Sequence, residues 1–182
     1  MSKPAHKGRN PMKEVKEFDE EVIQIDRVTR VVKGGRRMRF RATVAIGDRK
    51  GRVGIGIGKA NEVTAAIQKA ISQAKKSLIR VPILNLTIPH DVRIKFKAAK
   101  ILMMPAGPGT GIIAGGPVRK LVGLAGIKNI LSKCLGTSNR VTNTQAAFMA
   151  LALLNQRTLP AQAAKPVAKP AAKPEVKEQP KK

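Results

Sequence analysis

Aromatic side chains are scarce in this 182-residue chain. Phe, Tyr and Trp together make up 2% of it, with four Phe and neither Tyr nor Trp. Proteins that hold single-stranded nucleic acid by stacking bases need exposed aromatic rings, so we do not expect that binding mode. The apolar residues, 42% of the chain, suffice for a core that Ile, Val, Leu and Ala must fill.

Cysteine is almost absent, and a signal sequence and long apolar runs are lacking. The single Cys134 excludes an intramolecular disulfide, which fits a reducing compartment. The first residues, MSKPAHKGRNPMKE, contain no apolar core of a signal peptide. No apolar run approaches the ~20 residues of a membrane span, and we find no amphipathic anchor or lipidation motif. We therefore expect a cytoplasmic protein without a membrane partner.

Carboxylates are missing from almost half of the chain, since residues 92–174 contain neither Asp nor Glu. Carboxylates supply most general acid–base pairs and most Mg²⁺ sites. The two histidines, His6 and His90, have no plausible catalytic partner. We predict no catalytic residue, no metal site and no cofactor, and hence no enzyme.

Positive charge is what the chain has in excess. Its 36 Lys and Arg stand against 11 Asp and Glu, a net charge of +25. Charge of that size repels itself in a folded protein unless a polyanion neutralises it, and nucleic acid is the leading candidate. Between Arg27 and Arg52, ten cations face the single carboxylate Asp48. This cluster is either a solvated face or, as we favour, an RNA-binding surface.

The first half of the chain predicts three strands followed by a helix. Alternating residues indicate strands at 22–32, 38–46 and 52–58, with a glycine turn at 33–36. In the second strand Phe40 and Ala42 would point inward and Arg39 and Arg41 outward, giving a half-buried sheet with a basic face. In the third, Val53 would lie inward, and the glycines outward where another backbone or a ligand approaches. An apolar stripe predicts a helix over 62–79, with Asn61 as N-cap and Pro82 as terminator.

The second half predicts a smaller α/β unit. Short strands are expected at 83–88, 92–96, 101–104 and 127–135, with helices at 118–124 and 141–155. Met103, Met104 and Met149 are interpreted as core residues and Cys134 as a small buried one. The predicted fold class is α+β with two domains, 18–81 and 82–157. Residues 1–17 are expected to form a flexible arm and 158–182 a disordered Ala/Lys/Pro tail.

Two glycine-rich segments have a partial likeness to nucleotide-binding loops. Residues 54–60 fail as a P-loop because Val53 stands where its first glycine belongs and Ala60 replaces the Ser or Thr. Gly109, Gly111 and Ala114 fit the looser G-x-G-x-x-A pattern. That pattern also needs an acidic residue about 20 positions later, which is absent. The loop is therefore either a phosphate contact or a tight structural turn.

Several blocks of this sequence, taken in order, resemble the small-subunit ribosomal protein five family over about residues 18–157. They are Val31-Val32-Lys33-Gly34-Gly35-Arg36, Gly51-Arg52-Val53-Gly54 with Gly58-Lys59-Ala60, Ala65-Ala66-Ile67-Gln68-Lys69-Ala70, Gly109-Thr110-Gly111-Ile112-Ile113-Ala114-Gly115-Gly116, and Ala125-Gly126-Ile127-Lys128-Asn129-Ile130-Leu131. The length and glycine placement are similar to the bacterial or organellar branch. The sequence departs from the family at Arg140, where a proline is usual.

The resemblance implies a double-stranded-RNA-binding-like β-β-β-α domain followed by an α/β domain. It implies contact with small-subunit ribosomal RNA and with small-subunit ribosomal proteins four and eight, with no homo-oligomer. It also implies support of subunit assembly, a position near the path by which mRNA enters, and a role in translational accuracy. In the family, the loop matching residues 33–36 reaches toward the neck of the subunit, near the spectinomycin pocket.

The residues predicted to contact ribosomal RNA are cations of the first sheet, its glycine turn and the second glycine loop. They are Arg27, Arg30, Lys33, Gly34, Gly35, Arg36, Arg37, Arg39, Arg41, Arg49, Lys50, Arg52, Lys59, Gly109, Thr110, Gly111 and Arg119. Two alternatives stay open. The Ala-Lys-Pro tail would suit a general, nucleoid-like nucleic-acid-binding protein, and the loop at 107–116 would suit a nucleotide-dependent enzyme.

Overall fold

The computed structural model describes residues 17–157 of the chain. The predicted tail at 158–182 and all but the last residue of the predicted arm lie outside this range. Within it, the chain forms two four-stranded sheets and three helices, which confirms the α+β class. The first unit contains β1 (Asp19–Val32), β2 (Gly35–Gly47), β3 (Arg52–Ala60), α1 (Val63–Lys76) and β4 (Ile79–Arg80). The second contains β5 (Val92–Phe96), β6 (Ala99–Pro105), β7 (Ile112–Ile113), α2 (Gly116–Ala125), β8 (Ile130–Leu135) and α3 (Arg140–Arg157).

The first sheet is antiparallel in the order β1-β2-β3-β4. Alternation of β-branched and charged residues along β1 and β2 favours this pairing, and only Lys33 and Gly34 separate the two strands. Gly34 has a φ of 90°, which glycine adopts without strain. A bulge between Val22 and Gln24 inserts Ile23 as an extra residue.

The glycines of β3 face helix α1, so the outward direction predicted for them was wrong, whereas Val53 is buried as predicted. A Cβ atom added to Gly56 would lie 2.0 Å from the Ala70 carbonyl oxygen, and one on Gly58 would lie 2.2 Å from that of Ala66. The predicted close approach of another backbone is therefore confirmed, and the backbone is that of α1. Val53 lies on the opposite face of the sheet.

That opposite face is covered by the second unit, so the first sheet is buried on both sides over much of its area. Ala45 and Val53 belong to the same buried cluster as Val118 and Leu121 of α2 and Leu151 of α3. The joint is also hydrogen-bonded, because the N–H of Arg49 donates to the Leu124 carbonyl oxygen at 3.0 Å. The prediction of a half-buried sheet with one exposed basic face is wrong for this part of β2, where even Thr43 is buried.

Several predicted element boundaries and side-chain environments were also wrong. Residues 83–88 form a tight turn closed by a Leu84–Thr87 bridge instead of a strand. Helix α1 begins after Glu62 rather than Asn61, and no side chain caps it. Met104 and Met149 are 40% and 44% exposed, so neither fills the core.

The C-terminus of α1 is tied to the sheet by Ser77, which lies three residues after Ala74, the last buried alanine of the helix. The Ser77 hydroxyl donates to the Ile55 carbonyl oxygen at 2.8 Å, and its N–H donates to the Ala74 carbonyl. This contact ends the helix at Lys76, ahead of Pro82. The hydroxyl therefore links the helix end to the strand on which it packs.

We expect Ser77→Ala to lower the free energy of unfolding by about 1 kcal/mol, since the Ile55 carbonyl loses a half-buried donor. Chemical denaturation monitored by circular dichroism measures this. Ser72→Ala is the matched control, because the Ser72 hydroxyl bonds only to Gln68 of its own helix and is exposed. Equal effects of the two substitutions would contradict the assignment.

Candidate nucleic-acid interface

The outer half of the β1–β2 hairpin projects beyond both packed units. Every residue from 29 to 39 is exposed, although the two strands remain paired to the tip, where Val32 lies opposite Gly35. The exposed fraction of Val31 reaches 76%. We call residues 27–41 the hairpin ribbon. A two-stranded ribbon of this kind can reach a partner that the body of the protein does not touch.

Two pairs of cations lie directly opposite each other across the strands at the hairpin ribbon. Arg30 is paired with Arg37, and Arg41 is paired with Lys59 of the neighbouring strand. Like charges directly opposite in a sheet destabilise it, and residues 27–47 contain no carboxylate that could neutralise Arg30 and Arg37. Arg30, Lys33, Arg36, Arg37, Arg39 and Lys59 make no ion pair with any residue in the described range. The ribbon is thus arranged for an external polyanion.

Asp26 marks the inner end of this basic surface. Its carboxylate accepts hydrogen bonds from Arg41, whose Nη2 lies 2.7 Å from Oδ2, and from the Gln24 amide. The hydrogen bond from Arg41 holds the pKa of Asp26 below its ordinary value, against the opposing effect of burial. Arg41, a predicted RNA contact, is therefore already partly neutralised within the protein.

We expect Asp26→Asn to lower the free energy of unfolding at neutral pH by less than about 1 kcal/mol, because the ion pair is partly exposed. A depressed folded-state pKa stabilises the fold above the unfolded-state pKa, and this contribution is lost as the pH falls through the folded-state value. The difference between the natural chain and the variant should therefore shrink in acid. Denaturation curves across the acidic range measure it, and a difference that grows in acid would contradict this sign.

The loop between β2 and β3, with the first residue of β3, holds three more of the predicted cations, and two of them have internal partners. Asp48 accepts the backbone N–H of Lys50 at 2.7 Å and the Arg52 side-chain Nε at 2.7 Å. Burial raises the pKa of Asp48, but these hydrogen bonds outweigh it and the pKa is lowered. Arg49 pairs with Asp19 at 2.7 Å, and Arg52 lies 5.1 Å from the centre of the Phe18 ring. Arg49 and Arg52 thus help to hold the loop, while Lys50 is exposed.

The glycine-rich loop of residues 107–116 uses several of its polar groups in hydrogen bonds within the protein. The Gly111 N–H donates to the Asn129 side chain at 3.1 Å, and the Thr110 N–H donates to the Gly107 carbonyl at 3.3 Å. Arg119 donates to the Ile112 carbonyl oxygen at 3.2 Å. Strand β7 separates Gly109 and Gly111 from the start of α2, so the G-x-G-x-x-A pattern does not lead directly into a helix. A dinucleotide site of that type is not built here.

The remaining chemical candidates give no catalytic arrangement. Burial raises the pKa of the half-buried Cys134 thiol, and Lys133 only partly offsets this, which disfavours the reactive thiolate. Among residues 17–157, no three metal-ligating side chains converge on one point. Within the same range, no helix is long and apolar enough to cross a membrane.

Sequence reasoning missed Lys120, Arg140 and Asn143, which the fold brings to one side of the joint between the two units. Lys120 Nζ donates to the Val22 carbonyl oxygen at 2.8 Å and lies 3.3 Å from Glu21. Arg140 and Asn143 belong to the first turn of α3. No local pattern identifies these residues, because they lie far from β1 in the sequence and meet it only in the fold.

Two family models match this chain. The one described as "Ribosomal protein S5, N-terminal domain" covers residues 18–82, and "Ribosomal protein S5, C-terminal domain" covers residues 94–165. "Small ribosomal subunit protein uS5" of Chloroflexus aurantiacus is 53% identical over 139 residues, which are 76% of this chain and 78% of the relative. The protein of that name from Campylobacter jejuni is 52% identical over 138 residues, 76% of this chain and 94% of the relative. "Small ribosomal subunit protein uS5c" of Spinacia oleracea is 49% identical over 140 residues, 76% of this chain and 46% of the relative.

Proposed function

Because this chain belongs to the ribosomal protein S5 family, we propose that its hairpin ribbon is the main surface that holds ribosomal RNA. The chain is a structural constituent of the small ribosomal subunit. It binds ribosomal RNA, takes part in translation in the cytoplasm and is not an enzyme.

The observation that carries the proposal is the unneutralised charge of the ribbon. Arg30 and Arg37 stand opposite each other without a carboxylate in residues 27–47, and phosphate oxygens would relieve that repulsion. We assign direct phosphate contact to the exposed cations, with the turn at Gly34 and Gly35 allowing close backbone approach. These cations are Arg27, Arg30, Lys33, Arg36, Arg37, Arg39, Lys50 and Lys59. Arg41, Arg49 and Arg52 would contribute while shared with carboxylates, and Gly109, Thr110, Gly111 and Arg119 would form a lesser contact.

The second unit, residues 82–157 in the division we propose, would contact neighbouring proteins. It exposes Leu84, Leu86 and Ile113, which are 55%, 48% and 52% accessible, and exposed apolar side chains of this kind suit protein contacts. We propose small-subunit ribosomal proteins four and eight as these neighbours. A location near the path of incoming mRNA, with an effect on translational accuracy, is part of the same proposal.

Co-sedimentation with small ribosomal subunits depleted of this protein tests the function. The full chain and a chain ending at residue 157 should both join the subunits at near-physiological salt, because the ribbon lies in the retained part. The excluded alternative, a nucleoid-like protein, predicts instead that a peptide of residues 158–182 binds any duplex DNA as well as the full chain does. Failure of the shortened chain to bind ribosomal RNA would overturn the proposal.

A further inference from the structure

An open cavity of about 640 Å³ lies at the joint between β1 and the second unit. Its lining includes Gly115, Gly116, Lys120, Thr137, Arg140 and Asn143, and no Asp or Glu. The volume lies in the range of sites that hold small molecules or parts of larger ones. The predicted RNA-contact residues do not line it, so it is separate from the hairpin ribbon.

The N-terminus of α2 opens onto this cavity. Gly115 is the N-cap, and no side chain caps the helix. A Cβ atom added to Gly116 would find nothing within 4 Å, so the backbone there is accessible. By contrast, Asn139 caps α3 by accepting the Val141 N–H at 3.0 Å. Pro117 has no N–H and the Arg119 N–H bonds to the Gly115 carbonyl, so the uncapped donors are the N–H groups of Gly116 and Val118. Such groups at a helix start favour an anion, and phosphate above all.

Two cations stand beside these N–H groups. Arg140 is exposed and makes no ion pair with any residue between 17 and 157. Lys120 uses part of its ammonium group on Val22 and Glu21, and its three donors leave capacity for a further acceptor. The charge of Arg140 also lowers the pKa of Asp26. A phosphate group in the cavity would therefore meet one guanidinium that has no close ion-pair partner among residues 17–157 and one partly engaged ammonium.

Asn143 indicates that the ligand also carries a hydrogen-bond donor, which a simple anion lacks. This side chain is 4% exposed, and its Nδ2 donates to the Thr137 carbonyl oxygen at 2.9 Å. That contact fixes which end of the amide is the donor. The opposite atom, Oδ1, is buried and has no hydrogen-bond partner within the described part of the chain. A buried acceptor of this kind calls for a donor such as a hydroxyl group.

We propose that the cavity binds the phosphate and ribose of a ribonucleotide unit. The phosphate is held by the N-terminus of α2 with Arg140 and Lys120, and the 2′-hydroxyl donates to Asn143 Oδ1. The 2′-hydroxyl is the donor by which proteins distinguish RNA from DNA. The inference rests on the RNA-binding function and adds a second site to the hairpin ribbon. The unit could come from an RNA strand or from a free ribonucleotide.

Backbone NMR of the full chain, titrated with AMP, 2′-deoxy-AMP and inorganic phosphate, tests the site. AMP should shift the Gly116 and Asn143 amide signals saturably, and 2′-deoxy-AMP should bind about tenfold more weakly because one buried hydrogen bond is lost. Arg140→Gln should weaken AMP binding by about tenfold or more. Arg93→Gln, an equal charge change on β5 outside the cavity, should leave it unchanged.

A hexamer of riboadenylate, compared with AMP, separates the two sources. Tighter binding of the hexamer, through the same two signals, assigns the site to an RNA strand, and equal binding assigns it to a free nucleotide. Equal affinity for AMP, 2′-deoxy-AMP and phosphate would overturn the ribose assignment, and unshifted Gly116 and Asn143 signals would overturn the site. Because Arg36 and Arg37 lie at the outer end of the hairpin ribbon and do not line the cavity, Arg36→Gln/Arg37→Gln should keep the AMP response. Loss of AMP binding alone therefore leaves the function of the ribbon standing.

Discussion

Replacing Arg36 and Arg37 together by Gln is expected to weaken binding to small-subunit ribosomal RNA by at least about tenfold at near-physiological salt. The slope of the logarithm of the binding constant against the logarithm of salt concentration should become shallower by about two, one for each lost phosphate contact. Filter binding or fluorescence anisotropy over a range of salt concentrations measures both quantities. Stability should be unchanged or slightly raised, because both side chains are exposed and the loss of the Arg37 charge relieves its repulsion with Arg30.

The expected size follows from the position of these residues at the tip of the ribbon. Arg36 lies opposite Val31 and Arg37 opposite Arg30, so the pair presents charge to both faces. Neither arginine makes an ion pair within the part of the chain that is described. Their substitution therefore removes charge that only a partner can neutralise, and it removes no internal contact that holds the fold.

A variant with the same loss of charge elsewhere separates local contact from net charge. Arg93 and Lys95 lie exposed on β5, in the second sheet. Arg93→Gln/Lys95→Gln should shift the salt slope by much less than the variant of the ribbon does. If both variants lose the same affinity, the +25 charge acts as a whole and the ribbon has no special part.

The hairpin itself could be predicted because its signal is local. Alternation along β1 and β2 sets which side chains share a face, and the glycine turn between them fixes their pairing. The basic cluster could likewise be found by counting charges over 27–52. The alternation of residues along a strand does not show which of its two faces packs against a helix. The glycines of β3 were therefore expected to face outward, although helix α1 covers them.

Local sequence patterns could not predict the joint between the two units or the cavity beside it. Thr43 looks like a solvent-facing residue in its strand, and only the packing of α2 and α3 on that side buries it. Lys120 and Arg140 each read as ordinary helix cations. They line one cavity with Ile23 of the β1 bulge, a meeting of distant segments that spacing along the sequence does not encode.

The glycines of β3 allow a second strong prediction, because they set how closely α1 approaches the sheet. Gly54, Gly56 and Gly58 face Ala74, Ala70 and Ala66 respectively. Four residues of helix rise about 6 Å, and two residues of strand rise about 6.7 Å. Successive glycines of the strand are therefore spaced like successive turns of the helix, and the backbone of α1 packs directly against the backbone of β3.

Gly56→Ala is expected to lower the free energy of unfolding by about 3 kcal/mol or more, at the upper end of the cost of overpacking a core. Its methyl carbon would lie 2.0 Å from the Ala70 carbonyl oxygen and 2.7 Å from the Ala74 nitrogen. Because these are backbone atoms, neither can move aside as a flexible side chain would, and the helix as a whole must shift. Urea denaturation of the full chain measures the loss.

Two further variants make the cause of that loss specific. Gly35→Ala should remain within about 0.5 kcal/mol of the natural chain, since a Cβ atom there meets nothing within 4 Å. Adding Ala70→Gly to Gly56→Ala should give no rescue, because the clash is with the carbonyl of Ala70 and not with its methyl group. Recovery of stability in that double variant would mean that α1 packs by its side chains, and the close backbone contact would then not be what fixes its distance from β3.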